Sequence, residues 1–262
     1  EKTLAVKAPS GIVYVDHTKS GNGSNWTNAT PSLADALLTA KYDGTITQIW
    51  VAKGTYYPEY NATNLASLVC NPANRYNSFV LVPDVNIYGG FINGAATLAE
   101  RDPISNVTTL SGDINLDNTS TGNTYHVVIS AGSVGSAVLD GFTITGGNAD
   151  YSGNSVTVNG ITVTSFYGGG MGISLSSPAI NDCILEGNYG DHGGAISVLS
   201  GAPVFSRCII RNNTAGLYGG ALDHWVIGPP SNAVFNNCLI TGNRSNNVGG
   251  AFVNTYPSVI RL

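Results

Sequence analysis

The second half of the chain repeats one pattern of apolar and polar positions. Residues 180–188, 205–213 and 235–243 each begin with a large apolar residue, carry Cys at the fourth position and end on Asn. A Gly-Gly-Ala triplet follows each segment after a short gap. The equivalent Asn residues lie 25 and then 30 residues apart, a spacing read directly from the chain. This period suits one coil of a solenoid with loops of variable length, whereas a propeller blade needs about 40 residues.

Shorter β-type runs separated by Gly-, Asn- and Asp-rich turns precede these repeats. They predict strands at residues 12–16, 48–52, 78–82, 85–88, 107–110 and 125–129. Coils made of strand, turn, strand and turn stack at about 4.8 Å, and the crossover rule makes the winding right-handed. We therefore predict an all-β chain that folds as a right-handed parallel β-helix. It forms a single domain over 1–262, with explicit coils over 137–262.

The N-terminal part, residues 1–60, is predicted to form a cap and the first strands. Ser32 is a good helix N-cap with Asp35 three residues later, and an apolar side follows over residues 33–40 before Asp43 and Gly44 end the helix. An open end of a β-helix exposes strand edges and apolar core. The helix is therefore expected to act as a lid on that end.

Each repeated residue has a structural interpretation. The Asn residues tolerate left-handed backbone and are expected to stack as a hydrogen-bonded ladder at one corner. The Gly pairs allow positive φ or close backbone approach. Cys183, Cys208 and Cys238 are expected to point inward as free buried thiols, because directly stacked parallel positions suit disulfide geometry poorly. Cys70 then has no obvious partner.

Composition narrows the class of protein. The chain has 262 residues, of which 42% are hydrophobic and only 10% charged, so it is too apolar for a disordered chain. Its net charge is −5 and it has no basic patch that could follow a phosphate backbone, so nucleic acid is not expected as a partner. No window approaches the roughly 18 apolar residues of a membrane span, so none is expected in this chain.

A succession of short motifs resembles a known group of proteins. It looks like the N-terminal region of large secreted bacterial right-handed β-helix proteins, and the Gly-Gly-Ala and Asn repeats are similar to those of polymorphic outer-membrane proteins. The resemblance covers essentially the whole chain. The motifs are, in chain order, YVD at 14–16, NW at 25–26, LADAL at 33–37, IWVAKGTYYP at 49–58, YGGF at 88–91, ERDP at 100–103, LSGDI at 110–114, YHVV at 125–128 and LDGFTITGGN at 139–148.

The resemblance implies a secreted or cell-surface protein, associated with the outer membrane, that has a structural, adhesive or glycan-binding role. Its partner would be a polysaccharide or another cell-surface component. The alternative is a polysaccharide lyase or glycoside hydrolase, because such enzymes share the pectate-lyase-like fold. Proteins of this group continue through more coils to a C-terminal sorting or anchoring region. We therefore expect the natural chain to extend beyond Leu262.

Charged residues recur at two repeat positions. Asp182 is equivalent to Arg207, and Glu186 to Arg211. A lyase site needs a base and a cation that holds a sugar acid, and these groups offer both. The simpler interpretation is two ion pairs across adjacent coils, each worth less than about 1 kcal/mol on an exposed face.

Two acid–histidine pairs form the best site hypothesis in the sequence. Asp191 and His192 precede one Gly-Gly pair, while Asp223 and His224 follow the next. Trp225 could stack on a sugar ring. A lyase or hydrolase would use these pairs together with a cation such as Arg211. Because the two pairs occupy different repeat positions, the alternative is that they are polar residues of surface loops.

Oxygen ligands at alternate positions suggest a possible Ca²⁺ loop. Asp113, Asn115 and Asp117 are spaced as the start of such a loop. The glycine at the sixth position and the glutamate at the twelfth are absent, and Asn118 and Thr124 stand there instead. The alternative is an Asx-rich turn, in which the same side chains bind backbone amides. No other cofactor is expected.

Overall fold

The fold is a right-handed parallel β-helix with an N-terminal capping helix, as the sequence predicts. A computed structural model describes residues 7, 10–64, 71, 73–150, 153, 155–227, 231–254 and 259–261. Four parallel sheets run along the solenoid, and each coil contributes strands to them in turn. Cys70 lies outside the described residues.

Sheet A has eight strands and extends from the first described coil to the last. Its inward column Leu139, Ile180, Phe205 and Phe235 stacks in register, and the two phenylalanine rings lie 4.7 Å apart. The strands of sheet A are β1 (Ile12–Val15), β2 (Gln48–Ala52), β5 (Asn86–Phe91), β8 (Val138–Asp140), β14 (Ala179–Asn181), β18 (Val204–Ser206), β22 (Asn232–Asn236) and β26 (Val259–Arg261).

Sheets B and C each have six strands, and both bury an alternating set of side chains in the shared core. Sheet B consists of β3 (Gly54–Tyr56), β6 (Thr108–Ser111), β9 (Thr143–Thr145), β15 (Ile184–Glu186), β19 (Ile209–Arg211) and β23 (Leu239–Thr241). Sheet C consists of β4 (Phe79–Val80), β7 (Val128–Ala131), β13 (Met171–Ser174), β17 (Ile196–Leu199), β21 (Leu222–Trp225) and β25 (Phe252–Asn254).

Sheet D is a short four-stranded sheet between sheets B and C. Its strands are β10 (Asn148–Ala149), β16 (Tyr189–His192), β20 (Thr214–Tyr218) and β24 (Arg244–Ser245). An antiparallel hairpin made of β11 (Ser155–Val158) and β12 (Ile161–Thr164) leaves the solenoid between sheets D and C. Its Val156, Val158 and Val163 are buried in a second apolar cluster with Val80 and Ile129 of sheet C, so the hairpin covers the outer face of that sheet's first strands.

The N-terminal helix α1 (Leu33–Tyr42) begins where the sequence predicts. The Ser32 hydroxyl accepts a hydrogen bond from the Asp35 amide at 3.1 Å, which satisfies one of the free N–H groups of the first turn. The apolar side of the helix, with Leu33, Leu37 and Leu38, joins the main core. The helix thus shields apolar core that the first coil would otherwise expose. Single 3₁₀ turns occur at Ala62–Asn64 and Leu98–Glu100.

The predicted asparagine ladder is present at the corner between sheets B and D. The Oδ1 atom of Asn213 accepts hydrogen bonds from both the backbone and the side-chain nitrogen of Asn188, each at 3.0 Å. Asn243 repeats this contact with Asn213 one coil later. One detail of the prediction is wrong. The left-handed residue is the one before each ladder asparagine, namely Gly187, Asn212 and Gly242.

The Gly-Gly pairs are required by close packing at the corner between sheets D and C. Gly193 has φ +65°, and a Cβ atom there would lie 2.0 Å from the carbonyl oxygen of Ile196. Gly219 and Gly249 adopt the same conformation in the next coils. The prediction of positive φ and close approach is confirmed, and a side chain at these positions would collide with backbone that cannot move away.

The described cysteines are free, as predicted, and they stack near the core. Cys183 and Cys208 are buried and Cys238 is partly buried. Burial raises the pKa of the Cys183 thiol to about 12, so this group stays protonated and unreactive at neutral pH. Cys183 and Cys208 therefore fill space as small apolar side chains. At partly buried Cys238 the contact with Cys208 instead lowers the thiol pKa to about 7.

Removing one rung of the asparagine ladder should destabilise the fold. Asn213→Ala leaves the buried carbonyl of Leu185 and the amide of Asn188 without their partners. We expect the free energy of unfolding to fall by about 2–4 kcal/mol. Urea denaturation followed by circular dichroism measures this change. The exposed Asn247→Ala is the control and should cost less than about 0.5 kcal/mol. Equal losses in both variants would contradict a stabilising role of the ladder.

Candidate functional site

A cleft lies on the outer face of sheet C, next to the hairpin. Its floor is formed by outward positions of three successive strands, including Ser174 on β13 and Ser197 on β17. The β12 segment 162–164 bounds the cleft on one side, where Val163 packs against Gly172 of β13, and Trp225 at the end of β21 bounds it on another. The cleft is shallow, with only about 20 Å³ of accessible space, and no charged residue lines it. Its exposed surface is mainly apolar, because Ser174 and Ser197 are buried and the Ser174 hydroxyl donates to the Thr162 carbonyl oxygen.

The Gly-Gly corner beside the cleft aligns two columns of side chains. The residue before each Gly pair forms the first column, because Tyr167, His192 and Tyr218 are parallel neighbours in successive coils. The second column lies on the outer face of sheet C and contains Ser197 and Asp223, which are also direct neighbours. The sharp turn at each Gly pair brings the two columns face to face.

His192 and Asp223 meet across this corner. Nδ1 of His192 lies 2.9 Å from Oδ2 of Asp223, although the two residues come from different coils. The Asp223 side chain is fully buried, and its second carboxylate oxygen has no hydrogen-bond partner within the described part of the chain. Burial raises the pKa of Asp223, an effect that the contact with His192 partly offsets.

Aromatic rings enclose the imidazole of His192. The ring centroids of Tyr167 and Tyr218 lie 4.5 and 4.9 Å from it, and that of Phe166 lies 5.5 Å away. Tyr167 also lines the cleft. The pair formed by His192 and Asp223 therefore supports one wall of the cleft from behind.

Trp225 is the exposed aromatic residue of the cleft. It shares the outer face of β21 with Asp223, two positions earlier, and its side chain is 40% exposed. Leu199 is its register neighbour on β17 and also lines the cleft. The indole thus has supporting contacts on one side and access to solvent on another.

Asp223 and His224, the second acid–histidine pair, do not lie in a surface loop. This corrects the interpretation of the pair as polar loop residues. Asp223, His224 and Trp225 belong to strand β21, and the first two are buried. His224 points to the opposite face from Asp223, where its Nε2 contacts the Ser231 hydroxyl at 3.0 Å. Burial lowers the pKa of His224. Alternation along the strand therefore separates two side chains that are adjacent in the sequence. Residues 228–230, the end of the predicted loop, lie outside the described residues.

The structure does not bring Asp191 and Arg211 to the pair of His192 and Asp223. The Asp191 carboxylate accepts a hydrogen bond from the Tyr189 hydroxyl at 2.8 Å. Arg211 lies on sheet B, where its Nε is 2.6 Å from Oε2 of Glu186. The grouping of acidic and basic residues proposed for a lyase is thus not assembled.

The charged repeat positions form ion pairs between coils. Arg207 binds Asp182 through two contacts of 2.6 and 2.8 Å, and Arg211 binds Glu186. These side chains are between 32% and 58% exposed, so each pair contributes less than about 1 kcal/mol. The simpler interpretation of these residues is confirmed.

The candidate calcium loop has the contacts of an Asx-rich turn. Asp113 accepts hydrogen bonds from the amides of Asp117 and Asn118, and Asp117 accepts one from Thr119. Asn115 donates to Asp117 at 2.9 Å. Within the described ranges there is no cluster of three or more His, Cys, Asp or Glu side chains placed to hold a metal ion. Calcium binding here stays a prediction that a calcium titration would test.

Comparison with known proteins leaves the activity of this chain open. The chain matches no protein-family model and no curated protein. Among solved structures it is similar to pectin methylesterase PemA from Erwinia chrysanthemi, with 15% identity and a TM-score of 0.46. The alignment covers 93% of this chain but only 58% of that enzyme.

Sequence reasoning identified three residues of this region and missed the others. His192, Asp223 and Trp225 were proposed, whereas Tyr167 and Ser197 were not. A usable signal existed for Tyr167, because it precedes a Gly-Gly pair just as His192 does. The hairpin wall could not be aligned with any repeat, since it is an insertion between coils.

The buried carboxylate predicts a specific pH dependence. Because burial raises the pKa of Asp223 above the 3.8 of an exposed carboxyl, the folded protein takes up this proton at higher pH than the unfolded chain does. Protonation thus favours the folded state, and the benefit is lost as pH rises from about 3.8 through the raised pKa. Unfolding free energies measured across this window should decline more steeply with pH in the wild type than in Asp223→Asn.

Asp191→Asn is the matched control, because the Asp191 carboxylate lies at the same corner and accepts a hydrogen bond from the Tyr189 hydroxyl. The unfolding free energy of Asp191→Asn should decline with pH as steeply as that of the wild type. Parallel pH profiles for wild type and Asp223→Asn would contradict the raised pKa.

Proposed function

We propose that this protein binds neutral carbohydrate at Trp225, on the shallow surface beside the hairpin. The observation that carries the proposal is the indole of Trp225, which is 40% exposed at the edge of an uncharged surface. Aromatic rings bind the apolar faces of sugar rings. An exposed ring on a shallow, uncharged surface therefore suits a ligand with flat apolar faces and no charge.

The absence of charge in the cleft favours a neutral ligand over a sugar acid. None of its lining residues is Asp, Glu, Lys or Arg. A uronic acid would require a cation to balance its carboxylate, and Arg211 is held on another sheet by Glu186. The chain as a whole is acidic, with a net charge of −5, which further disfavours polyanions.

A catalytic role has less support than a binding role. Glycoside hydrolysis uses two carboxylates roughly 5–10 Å apart, and in the described cleft region Asp223 is fully buried behind Tyr167 and His192. The simplest role for this pair is to fix the position of the Tyr167 wall. Lyase or hydrolase activity remains the alternative to be tested on the same ligands.

The proposal extends to location and context. We propose that the protein is secreted or displayed on the cell surface, where a regular β-helix presents the cleft to polysaccharide as an adhesive or structural component. Similarity to polymorphic outer-membrane protein repeats motivates this part of the proposal. No helix in the described part of the chain has the length and hydropathy needed to cross a bilayer.

A glycan array followed by titration of the bound sugars tests the proposed function. Trp225→Ala should weaken binding of neutral glycans by about tenfold or more, which corresponds to about 1.4 kcal/mol. Tyr42→Ala is the matched control, since it removes an aromatic side chain that is 59% exposed on helix α1, away from the cleft. Its affinity should equal that of the wild type. Failure of the wild type to bind any neutral glycan would overturn the proposal.

A further inference from the structure

An open pocket lies at the corner between sheets A and B, near the N-terminal end of the solenoid. The second coil turns this corner tightly, because Lys53 alone separates β2 from β3. The coils on both sides instead leave the solenoid here, through residues 17–29 and 92–106. The tight turn is therefore a floor between two walls. The pocket has about 550 Å³ of accessible space, within the range of about 300–1,000 Å³ that is usual for small-molecule sites.

Asp16 joins the two walls at the back of the pocket. Its Oδ1 atom accepts hydrogen bonds from the amide and the hydroxyl of Thr18, at 2.9 and 2.7 Å. Its Oδ2 atom accepts one from the side chain of Asn93, on the other wall, at 2.9 Å. Burial raises the pKa of Asp16, but these hydrogen bonds outweigh it and lower the pKa below its usual value. Asp16 is therefore negatively charged at neutral pH, and both of its oxygens already have donors.

The imidazole of His17 has a fixed position on the first wall. Its ring lies over Gly54, where an added Cβ atom would come within 2.2 Å of the imidazole Cε1 atom. The edge of the ring meets Tyr56, with the two centroids 5.7 Å apart. The backbone N–H of His17 also donates to the Tyr56 hydroxyl at 3.4 Å. An exposed histidine is thus held in place by a glycine and a buried tyrosine.

The pocket has a cationic side and an apolar side. The exposed Lys53 lines it and forms no ion pair within the described part of the chain. His17 offers imidazole nitrogens beside it. On the opposite wall Ile92 and Val107 are each 48% exposed. A ligand that fits both sides carries one anionic group and a hydrocarbon part.

We propose that this pocket binds a small organic monocarboxylate. The carboxylate accepts hydrogen bonds from Lys53 and His17, and the hydrocarbon part packs against Ile92 and Val107. The charge of Asp16 at the back disfavours a second negative charge on the ligand, so a monocarboxylate fits better than a phosphate dianion. The site is separate from the surface around Trp225 and does not depend on carbohydrate binding there.

Titration with a matched pair of ligands tests the site. Cyclohexanecarboxylate should bind at least about tenfold more tightly than cyclohexanecarboxamide, which has the same shape and no charge. Amide signals of Lys53, Gly54 and Asn93 in NMR spectra should shift with the carboxylate and locate it in the pocket. Equal affinities for the two compounds would overturn the proposal. So would tighter binding of inorganic phosphate, or no binding of the carboxylate up to about 10 mM.

A charge variant tests the cationic side. Lys53→Gln should weaken binding of cyclohexanecarboxylate by about tenfold and leave binding of the carboxamide unchanged. Lys41→Gln removes the same charge from the exposed Lys41 of helix α1 and is the control, which should bind both compounds as the wild type does. Unchanged carboxylate affinity in Lys53→Gln would contradict the assignment of this lysine.

A second variant tests the apolar wall. Ile92→Ser should weaken binding of cyclohexanecarboxylate by about fivefold or more, because the ring loses apolar contact area. Ile104→Ser is the matched control, since Ile104 belongs to the same excursion and is 90% exposed outside the pocket. Circular dichroism and thermal melts establish that both variants fold. Equal affinities in Ile92→Ser and Ile104→Ser would show that the hydrocarbon part does not lie on this wall.

Discussion

Hydrogen bonding between successive coils at a fixed register is the constraint on which the rest of this structure depends. The strand ladders supply most of these bonds, and the asparagine ladder continues them through a corner where the backbone turns. A left-handed residue before each ladder asparagine makes that turn possible. Since every coil repeats the same geometry, equivalent residues must stack directly on one another, in the core and on the surface alike.

Direct stacking explains how the cleft is built. The Gly-Gly corner turns sharply enough to place a column from sheet D beside a column from sheet C, so His192 reaches Asp223 in the following coil. Burying either residue alone would leave its ring nitrogen or carboxylate oxygen without this partner. Together they support the ring of Tyr167, which borders the outer face of sheet C near Trp225.

Departures from the repeat shape the surface that the repeat supports. The hairpin has no equivalent in the neighbouring coils, yet its buried valines attach it firmly to sheet C. It converts an open sheet face into a bounded cleft. The repeated geometry of the coils thus acts as a scaffold, and one insertion with one exposed tryptophan distinguishes this part of its surface from the rest.

The sequence alone determined the β-helix, the helix α1, the asparagine ladder and the free thiols, because each depends on local patterns that recur at one period. It also singled out His192, Asp223 and Trp225 by residue type. Only the tertiary structure decided that His192 and Asp223 meet while His224 turns away, because strand alternation and the offset between coils set those directions. It likewise decided the hairpin wall, since an insertion has no repeat position from which its place could be inferred.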